Sequence, residues 1–155
     1  MRAARAGDIA AVIALERTIA EAPHWSEADY DLILSEVILS GSGLRRCLFV
    51  ADSGGELGGF AVSKVILSGS EALGELESVA VRGDLRRQGV GLALCKAVAD
   101  WCRAQGASVL ELEVRAASAG AIALYEGLGF GRVGLRRAYY RDPVDDAMLM
   151  RLRLI

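Results

Sequence analysis

The sequence predicts an α/β fold with a mixed, mostly antiparallel sheet, in the element order βααβββαβαββ. Three observations support this fold class. Four segments have the apolar spacing or the caps of helices, seven short runs have the pattern of strands, and glycine-containing turns separate most of them. The composition of the 155 residues, with 53% hydrophobic and 25% charged side chains, is typical of a compact globular protein.

The N-terminal part is predicted to contain a short strand and two helices. The strand lies within Arg2 to Ala6, and Asp8 is a suitable N-cap for the first helix. Ser26 and Asp29 have the spacing of a capping box at the start of the second helix, which is expected to end in SGSG.

Three strand-like runs follow, with short turns between them. Their sequences are RRCLFVAD at 45–52, ELGGFAVSKVIL at 56–67 and ELESVAV at 75–81. Because only SGG and SGSEALG separate these runs, we expect them to form an antiparallel meander.

The C-terminal half is predicted to alternate helices and strands. The turn LRRQGVG opens a third helix that stops at Gly106, and the strand SVLELEV follows. SAGAIALYEG is predicted as a short helix with Ser118 as its cap and Gly127 as its terminator. Two more strands, around 132–140 and 147–154, complete the predicted sheet.

Charge and composition narrow the classes of partner. A formal net charge of -2 argues against nucleic acid as the main partner, because nucleic-acid-binding domains usually carry an excess of basic residues. No apolar stretch approaches the length of a membrane span, so no membrane partner is expected. His24 is the single histidine and no CxxC pattern occurs, so we expect no metal site.

The cysteines indicate a reducing compartment. Cys47, Cys95 and Cys102 have no spacing that suggests a disulfide, so we expect core thiols in a cytoplasmic protein. We expect this protein to be a monomer or a weak dimer. Charged residues interrupt the apolar N-terminal stretch at Asp8 and Glu16, so a signal peptide is not expected.

The turn before the third helix combines positive charge with a flexible backbone. It contains Arg86, Arg87, Gly89 and Gly91, and it follows a strand. The first N–H groups of a helix have no partner inside the helix, and the helix dipole favours an anion there. The turn lacks the residues of a Walker loop or a dinucleotide fingerprint. Taken alone, it is equally consistent with a phosphate site and with a purely structural turn.

A second group of polar side chains follows the third helix. On the strand SVLELEV, Glu111 and Glu113 fall on the face opposite the apolar residues. On the next helix, Ser118 and Tyr125 are separated by about two helical turns, so one side of this helix can line a groove.

Several motifs together carry a family resemblance. They are R-x-x-G-x-G after a strand, then LEVRA and ALYEGLGF, with PHWSE near the start and RRAYYRDPVDDAMLM near the end. In these motifs the chain resembles the GNAT superfamily of N-acetyltransferases, and within it the RimI-type ribosomal-protein alanine N-acetyltransferases. The resemblance spans nearly the whole chain and is strongest from Leu76 to Met150. It implies one GNAT domain over residues 1–155, with a splay between the fourth and fifth strands.

The resemblance implies acetyl-CoA as the co-substrate. It places the pyrophosphate on the turn before the third helix and the pantetheine along the splayed strand. The cofactor-binding residues that it implies are Val79, Ala80, Val81, Arg86, Arg87, Gln88, Gly89, Val90, Gly91, Leu92, Ser118 and Tyr125.

Amine acetylation requires two proton transfers. The substrate ammonium must lose a proton, which suits a carboxylate, and the CoA thiolate must gain one, which suits a tyrosine. The resemblance assigns Glu113 as the base and Tyr125 as the acid. Glu77 or Glu111 remains an alternative base, and Tyr125 alternatively serves only for packing.

The expected substrate is the N-terminal α-amine of a protein, such as a ribosomal protein beginning with alanine. This amine is expected to attack acetyl-CoA directly in a ternary complex. Trp25, Tyr139 and Asp146 are the substrate-binding residues that the resemblance implies. Asp142 or Glu111 is an alternative to Asp146 for attracting basic residues of the substrate. The family's usual asparagines are replaced by Ser118 and Ala138, and these departures bear on peptide specificity. The alternatives are an acetyltransferase of a small-molecule amine and a non-catalytic acyl-CoA-binding module.

Overall fold

Seven strands form one mixed sheet in the computed structural model, which describes residues 1–19, 25–35 and 43–155. The strands are β1 (Arg2–Ala3), β2 (Leu44–Ser53), β3 (Glu56–Ser68), β4 (Glu71–Val81), β5 (Val109–Arg115), β6 (Gly131–Tyr140) and β7 (Asp145–Arg153). The helices are α1 (Ile9–Glu16), α2 (Glu27–Ser35), α3 (Val90–Ala104) and α4 (Ala119–Gly127), with short 3-10 turns at Ala6–Asp8 and Gly83–Leu85. The predicted element order is confirmed.

The strands lie in the order β1-β2-β3-β4-β5-β7-β6 across the sheet. Strands β2, β3 and β4 form the predicted antiparallel meander, and β5, β6 and β7 form a second antiparallel group. The two groups join through β4 and β5, which are parallel because the helix α3 crosses over between them. The prediction of a mixed, mostly antiparallel sheet is therefore confirmed.

Both faces of the sheet are covered. Helices α3 and α4 pack on one face, where the buried residues include Leu94, Val98, Leu110, Ile122 and Met150. Helices α1 and α2 cover the other face, where the buried residues include Val12, Tyr30, Ile33, Val50 and Phe60. Because β-strand side chains alternate between the two faces, the central strands contribute to both clusters.

The start of α2 has the predicted capping box. The backbone N–H of Ser26 donates to Oδ2 of Asp29 at 2.9 Å, and the backbone N–H of Asp29 donates to Oγ of Ser26 at 3.2 Å. Residues 40–42 of the predicted SGSG ending and His24 lie outside the described residues.

Helix α4 ends at Gly127 as predicted, but Gly127 is not the glycine that terminates it. The helix runs through Gly127, and the residue with left-handed backbone is Gly129, with φ +105°. The N–H of Gly129 donates to the carbonyl of Glu126, and the N–H of Phe130 donates to the carbonyl of Tyr125, both at 3.0 Å. This pattern is a Schellman motif, which requires its glycine after the C-cap residue rather than inside the helix. Gly127 is therefore the last helical residue, and Gly129 takes the terminating role predicted for Gly127 from the sequence.

The N-terminus is fixed to the first helix by one carboxylate. The guanidinium of Arg2 donates to both oxygens of Asp8, at 2.7 and 2.9 Å, and the backbone N–H of Arg5 donates to the same carboxylate at 2.7 Å. These hydrogen bonds, chiefly the one from Arg2, lower the pKa of Asp8 from 3.8 to about 2. The ionised carboxylate therefore stabilises the folded state.

We expect Asp8→Asn to lower the free energy of unfolding by about 1 kcal/mol at pH 7, because the charge-assisted hydrogen bonds are lost. The folded pKa lies below the unfolded one, so this contribution is complete above about pH 4 and is lost as the pH falls toward 2. Urea unfolding at pH 7, 4, 3 and 2 measures it.

Asp100→Asn is the matched control, because Asp100 pairs with Arg103 on the exposed surface of α3. It should leave stability nearly unchanged at every pH. A difference between the wild type and Asp8→Asn that persisted at pH 2 would contradict this account of the N-terminus.

Candidate active site

Strands β4 and β5 are paired over three residues and then separate. The pairs join Leu73 to Val109, Gly74 to Leu110 and Glu75 to Glu111. On its other side β4 stays paired with β3 as far as Val81, so the backbone groups that point toward β5 beyond Glu75 have no strand partner. The predicted splay between the fourth and fifth strands is confirmed.

A half-open cavity of about 260 Å³ lies at the splay. Strand β4 forms one wall, β5 forms the other, and α4 closes one side. The lining residues are Ile19, Leu76, Glu77, Ser78, Val79, Leu112, Glu113, Val114, Arg115, Ser118, Ala121, Tyr125 and Tyr140. The cavity therefore combines two carboxylates, two phenols and an unpaired strand edge.

Glu113 lines the cavity from β5. Burial alternates along this strand, with Leu112 and Val114 buried in the core and Glu113 on the other face, as predicted. The side chain of Glu113 is 28% exposed, and its Oε1 lies 3.5 Å from Nη2 of Arg136 on β6. A carboxylate that is half-buried and open to the cavity can accept a proton from a bound amine.

Tyr125 lines the same cavity from α4. Its ring packs against Phe130 with a centroid distance of 5.7 Å, and only 6% of the residue is exposed. Burial raises the pKa of this phenol well above 10, and Cys95 and Tyr140 add to the effect. The phenol is therefore protonated at neutral pH, which is the state that a proton donor needs.

The other two carboxylates considered as bases differ in position. Glu77 lines the cavity from β4, opposite Glu113. Glu111 lies outside the lining and accepts hydrogen bonds from Nη2 and Nε of Arg151 at 2.9 and 3.2 Å. The structure thus brings Glu77 and Glu113 together with Tyr125, and it places Glu111 elsewhere on β5.

The turn before α3 has the conformation of an anion site. Arg87 and Gly89 have left-handed backbone, with φ +64° and +82°. The first helical hydrogen bond runs from the N–H of Ala93 to the carbonyl of Gly89 at 3.0 Å, so the N–H groups of 90–92 have no partner within the helix. Arg86 is exposed beside them. These donors and the two arginine charges fit a phosphate group.

The glycines of this turn have different roles. A Cβ atom at Gly89 would meet nothing within 4 Å, so this glycine is needed for its backbone conformation and leaves open space for a ligand. At Gly91 a Cβ atom would lie 3.3 Å from Leu124 of α4 and 3.6 Å from Val81 of β4. Gly91 therefore allows the start of α3 to pack closely against α4 and the end of β4.

Tyr139 and Tyr140, on the last residues of β6, have different environments. Tyr140 lines the cavity, and its ring lies 4.5 Å from the guanidinium carbon of Arg115. Tyr139 is 50% exposed, stacks edge-on against Tyr140 at 5.1 Å, and is not among the lining residues. Since neighbouring strand residues point to opposite sides, the two tyrosines cannot both face the cavity.

The two other predicted substrate-binding residues, Trp25 and Asp146, are not among the residues that line the cavity. Trp25 packs edge-on against Tyr30 at 5.8 Å, and the guanidinium of Arg46 lies 5.9 Å from its ring. Asp146 accepts a hydrogen bond at 2.8 Å from the backbone N–H of Ala138, whose φ is +49°. The Asp146 carboxylate thus also supports the irregular end of β6.

The sequence motifs did not identify two residues that pair with the cavity-lining Glu77: Arg46 and Lys64. Arg46, Lys64 and Glu75 occupy the same cross-strand row on β2, β3 and β4. The signal in the sequence is a set of charges on one face of the sheet: β2 and β3 each carry a cation there, and β4 carries acids. It could be found only once the strand register was known.

The described residues contain neither a membrane-spanning helix nor a metal-binding group of side chains. No helix there combines the length and the apolar character needed to cross a membrane. No group of three or more His, Cys, Asp or Glu side chains in 1–19, 25–35 and 43–155 could hold a metal ion.

The comparisons with known proteins agree with this geometry. The model of the acetyltransferase (GNAT) family matches residues 10–130. The ribosomal protein bS18-alanine N-acetyltransferase of Escherichia coli strain K12 is 39% identical over 130 residues, which are 83% of this chain and 80% of that protein. The N-alpha-acetyltransferase RimI of Mycobacterium tuberculosis is 38% identical over 108 residues, 65% of this chain and 62% of that protein.

A solved structure with the same fold also comes from an N-acetyltransferase. The crystal structure of the ribosomal-protein-S18-alanine N-acetyltransferase from Escherichia coli matches with a TM-score of 0.76 and 32% identity, over 99% of this chain and 92% of that chain. With the family model, the splayed strands and the turn before α3 in agreement, this chain belongs to the GNAT family of acetyltransferases.

Proposed function

We propose that this chain transfers the acetyl group of acetyl-CoA to the N-terminal α-amine of a protein, a ribosomal protein beginning with alanine being the expected substrate. The observation that carries the proposal is the cavity at the splay, where Glu113 and Tyr125 line the same space beside the β4 edge. The relative with 39% identity, a ribosomal protein bS18-alanine N-acetyltransferase, supports this choice of substrate.

The cofactor is held by backbone groups and arginines. In the proposal, the unpaired N–H groups of 90–92 and the side chains of Arg86 and Arg87 bind the pyrophosphate. The pantetheine lies along Val79, Ala80 and Val81, whose β5-facing backbone groups have no strand partner. Gln88 and Ser118 complete the site, Ser118 from the N-cap of α4. Acetyl-CoA supplies an activated thioester carbonyl, which the backbone N–H groups of 79–81 polarise.

Glu113 is the proposed base. A peptide α-amine has a pKa of about 8, so it arrives mostly as an ammonium ion and must lose a proton before it can attack. Glu113 faces the cavity and has one weak ion pair at 3.5 Å with Arg136, so the carboxylate remains available to accept that proton.

Tyr125 is the proposed acid. The sulfur of CoA leaves as a thiolate, and the neutral phenol of Tyr125 donates a proton to it. The second proton, which the nitrogen loses as the amide forms, restores the neutral phenol. The phenol is buried and held by the contact of its ring with Phe130, so its oxygen is presented from a fixed position.

Residues outside the cavity lining guide the peptide. Trp25 and Tyr139 form apolar walls, and Asp146 attracts the basic residues of the substrate. The narrow cavity suits a small first side chain, because the amine must come within about 3–3.5 Å of the thioester carbon.

The first prediction concerns the cofactor. Gly89→Val should remove the thermal stabilisation by acetyl-CoA, because a side chain at this left-handed position would occupy the phosphate site. Thermal unfolding with and without acetyl-CoA measures the shift.

Gly106→Val is the matched control. Gly106 also has left-handed backbone, with φ +88° and open space around its Cβ position, but it follows the other end of α3. This variant should have a similar intrinsic strain and keep the shift. An unchanged shift in Gly89→Val would place the cofactor elsewhere.

The second prediction concerns proton transfer. Tyr125→Phe should keep its affinity for acetyl-CoA and lower kcat by roughly 10²–10⁴-fold, because only the donor proton is lost. Glu113→Gln should also lower kcat, because the carboxylate that accepts the proton of the amine is lost. Steady-state kinetics between pH 5 and 9 tests both.

Glu111→Gln is the control for Glu113→Gln, because Glu111 has the same orientation on β5 and lies outside the cavity lining. It should keep a nearly normal rate. Near-normal rates in both Tyr125→Phe and Glu113→Gln would instead point to catalysis by proximity alone or by Glu77.

The third prediction concerns the acceptor. In a competition assay read by mass spectrometry, a peptide that begins with alanine should be acetylated strongly in preference to free amino acids, polyamines and an internal lysine, with serine nearly as good as alanine. Preference for a small amine would reject the N-terminal acceptor while retaining the acetyltransferase. Binding of acetyl-CoA without transfer to any amine would identify a non-catalytic module.

A further inference from the structure

Glu77 is a second carboxylate in the cavity, and the proposed mechanism does not use it. Its side chain is only 8% exposed. Its Oε1 accepts a hydrogen bond from Nη2 of Arg46 at 2.8 Å and lies 3.5 Å from Nζ of Lys64. Its Oε2 is buried, and no described residue gives it a hydrogen bond. One oxygen is therefore paired with two cations, and the other is left as an acceptor.

The backbone places this acceptor at the point where the strands separate. In the register of β3 and β4, Ser63 lies opposite Leu76 and Val62 lies opposite Ser78, so Glu77 is the extra residue of a β-bulge. The last pair between β4 and β5 involves Glu75, two residues earlier. Bulges often redirect a side chain next to a binding site.

The surroundings of Glu77 fix the position of its side chain. Arg46 reaches it from β2 and Lys64 from β3, and Trp25 lies against the guanidinium of Arg46 at 5.9 Å. A buried acceptor that lacks a donor has a free-energy cost of about 1–3 kcal/mol, more for a charged group. A cationic donor entering the cavity would remove this cost.

We propose that Oε2 of Glu77 binds the ammonium group of the acceptor before that group is deprotonated, which makes Glu77 a specificity-determining residue for cationic amines. The inference rests on the proposed function. Glu113, on the opposite wall, then takes the proton. Arg46 is a positioning residue that acts through Glu77.

The test compares two peptides that differ in one group. One begins with alanine, and the other begins with lactic acid, which has a hydroxyl in place of the ammonium. Calorimetry with the full chain and saturating CoA measures their affinities. The wild type should prefer the alanyl peptide, and Glu77→Gln should reduce that preference by at least about 10-fold, since hydrogen bonds to charged groups contribute about 1.5–3 kcal/mol.

Glu75→Gln is the matched control. Glu75 is on the same strand, and its Oε2 lies 3.6 Å from Nζ of Lys64, but its side chain is 45% exposed and it lies outside the cavity lining. This variant should keep the wild-type preference. A preference that survives in Glu77→Gln, or that falls equally in Glu75→Gln, overturns the proposal.

Kinetics gives a second readout. Glu77→Gln should raise KM for the alanyl peptide more than it lowers kcat, and Glu77→Asp, which keeps the charge, should recover part of the affinity. A lower kcat with unchanged KM would assign Glu77 to proton transfer and reject the binding role. If Glu77→Gln does not fold, the comparison rests on Glu77→Asp. Because its side chain is shorter, this variant should bind the alanyl peptide more weakly than the wild type does. Equal affinity would overturn the proposal.

Failure of the proposed function is recognised separately. It would appear in the wild type, as acetylation of a small amine and of no N-terminal peptide. The affinity comparison is then repeated with that amine and the corresponding alcohol, and the same loss of preference is expected in Glu77→Gln.

Discussion

The site depends on a single interruption of backbone pairing. Strand β4 leaves β5 after Glu75, while each strand keeps its other neighbour, so the sheet stays continuous at one end and opens at the other. Buried backbone N–H and C=O groups require partners, and the open edge of β4 is therefore an unsatisfied surface suited to a ligand with an extended, amide-containing chain. The cavity lies at this opening, and α4 closes one of its sides.

The two acidic residues in the cavity have different partners. Glu113 has one weak contact with an exposed arginine, whereas Glu77 is tied to two cations and is nearly inaccessible to solvent. A carboxylate with few partners can exchange a proton and move slightly, whereas one held by several ion pairs supplies a charge at a fixed position. The same residue type is thereby suited to two tasks on opposite walls.

Local patterns predicted much of the fold and part of the site. The alternation of LELEV placed Glu113 opposite the core, and the capping box of Ser26 and Asp29 marked the start of α2. Local patterns did not distinguish Tyr139 from Tyr140, because the irregular register between Arg136 and Tyr140 decides which ring faces inward. They also missed the contact of Arg46 with Glu77, which are 31 residues apart and meet only through strand register.

The Schellman motif at the end of α4 has a consequence for how this chain tolerates changes in length. The carbonyl of Tyr125 accepts the N–H of Phe130, and the two rings pack on each other, so the four residues between them form a closed corner with the phenol at one end. An insertion or deletion within 126–129 would rotate the phenol out of the cavity without touching any residue that lines it. In relatives with a tyrosine at this position of the cavity, the spacing between that tyrosine and the following aromatic residue should therefore be more constant than the identity of the residues in between.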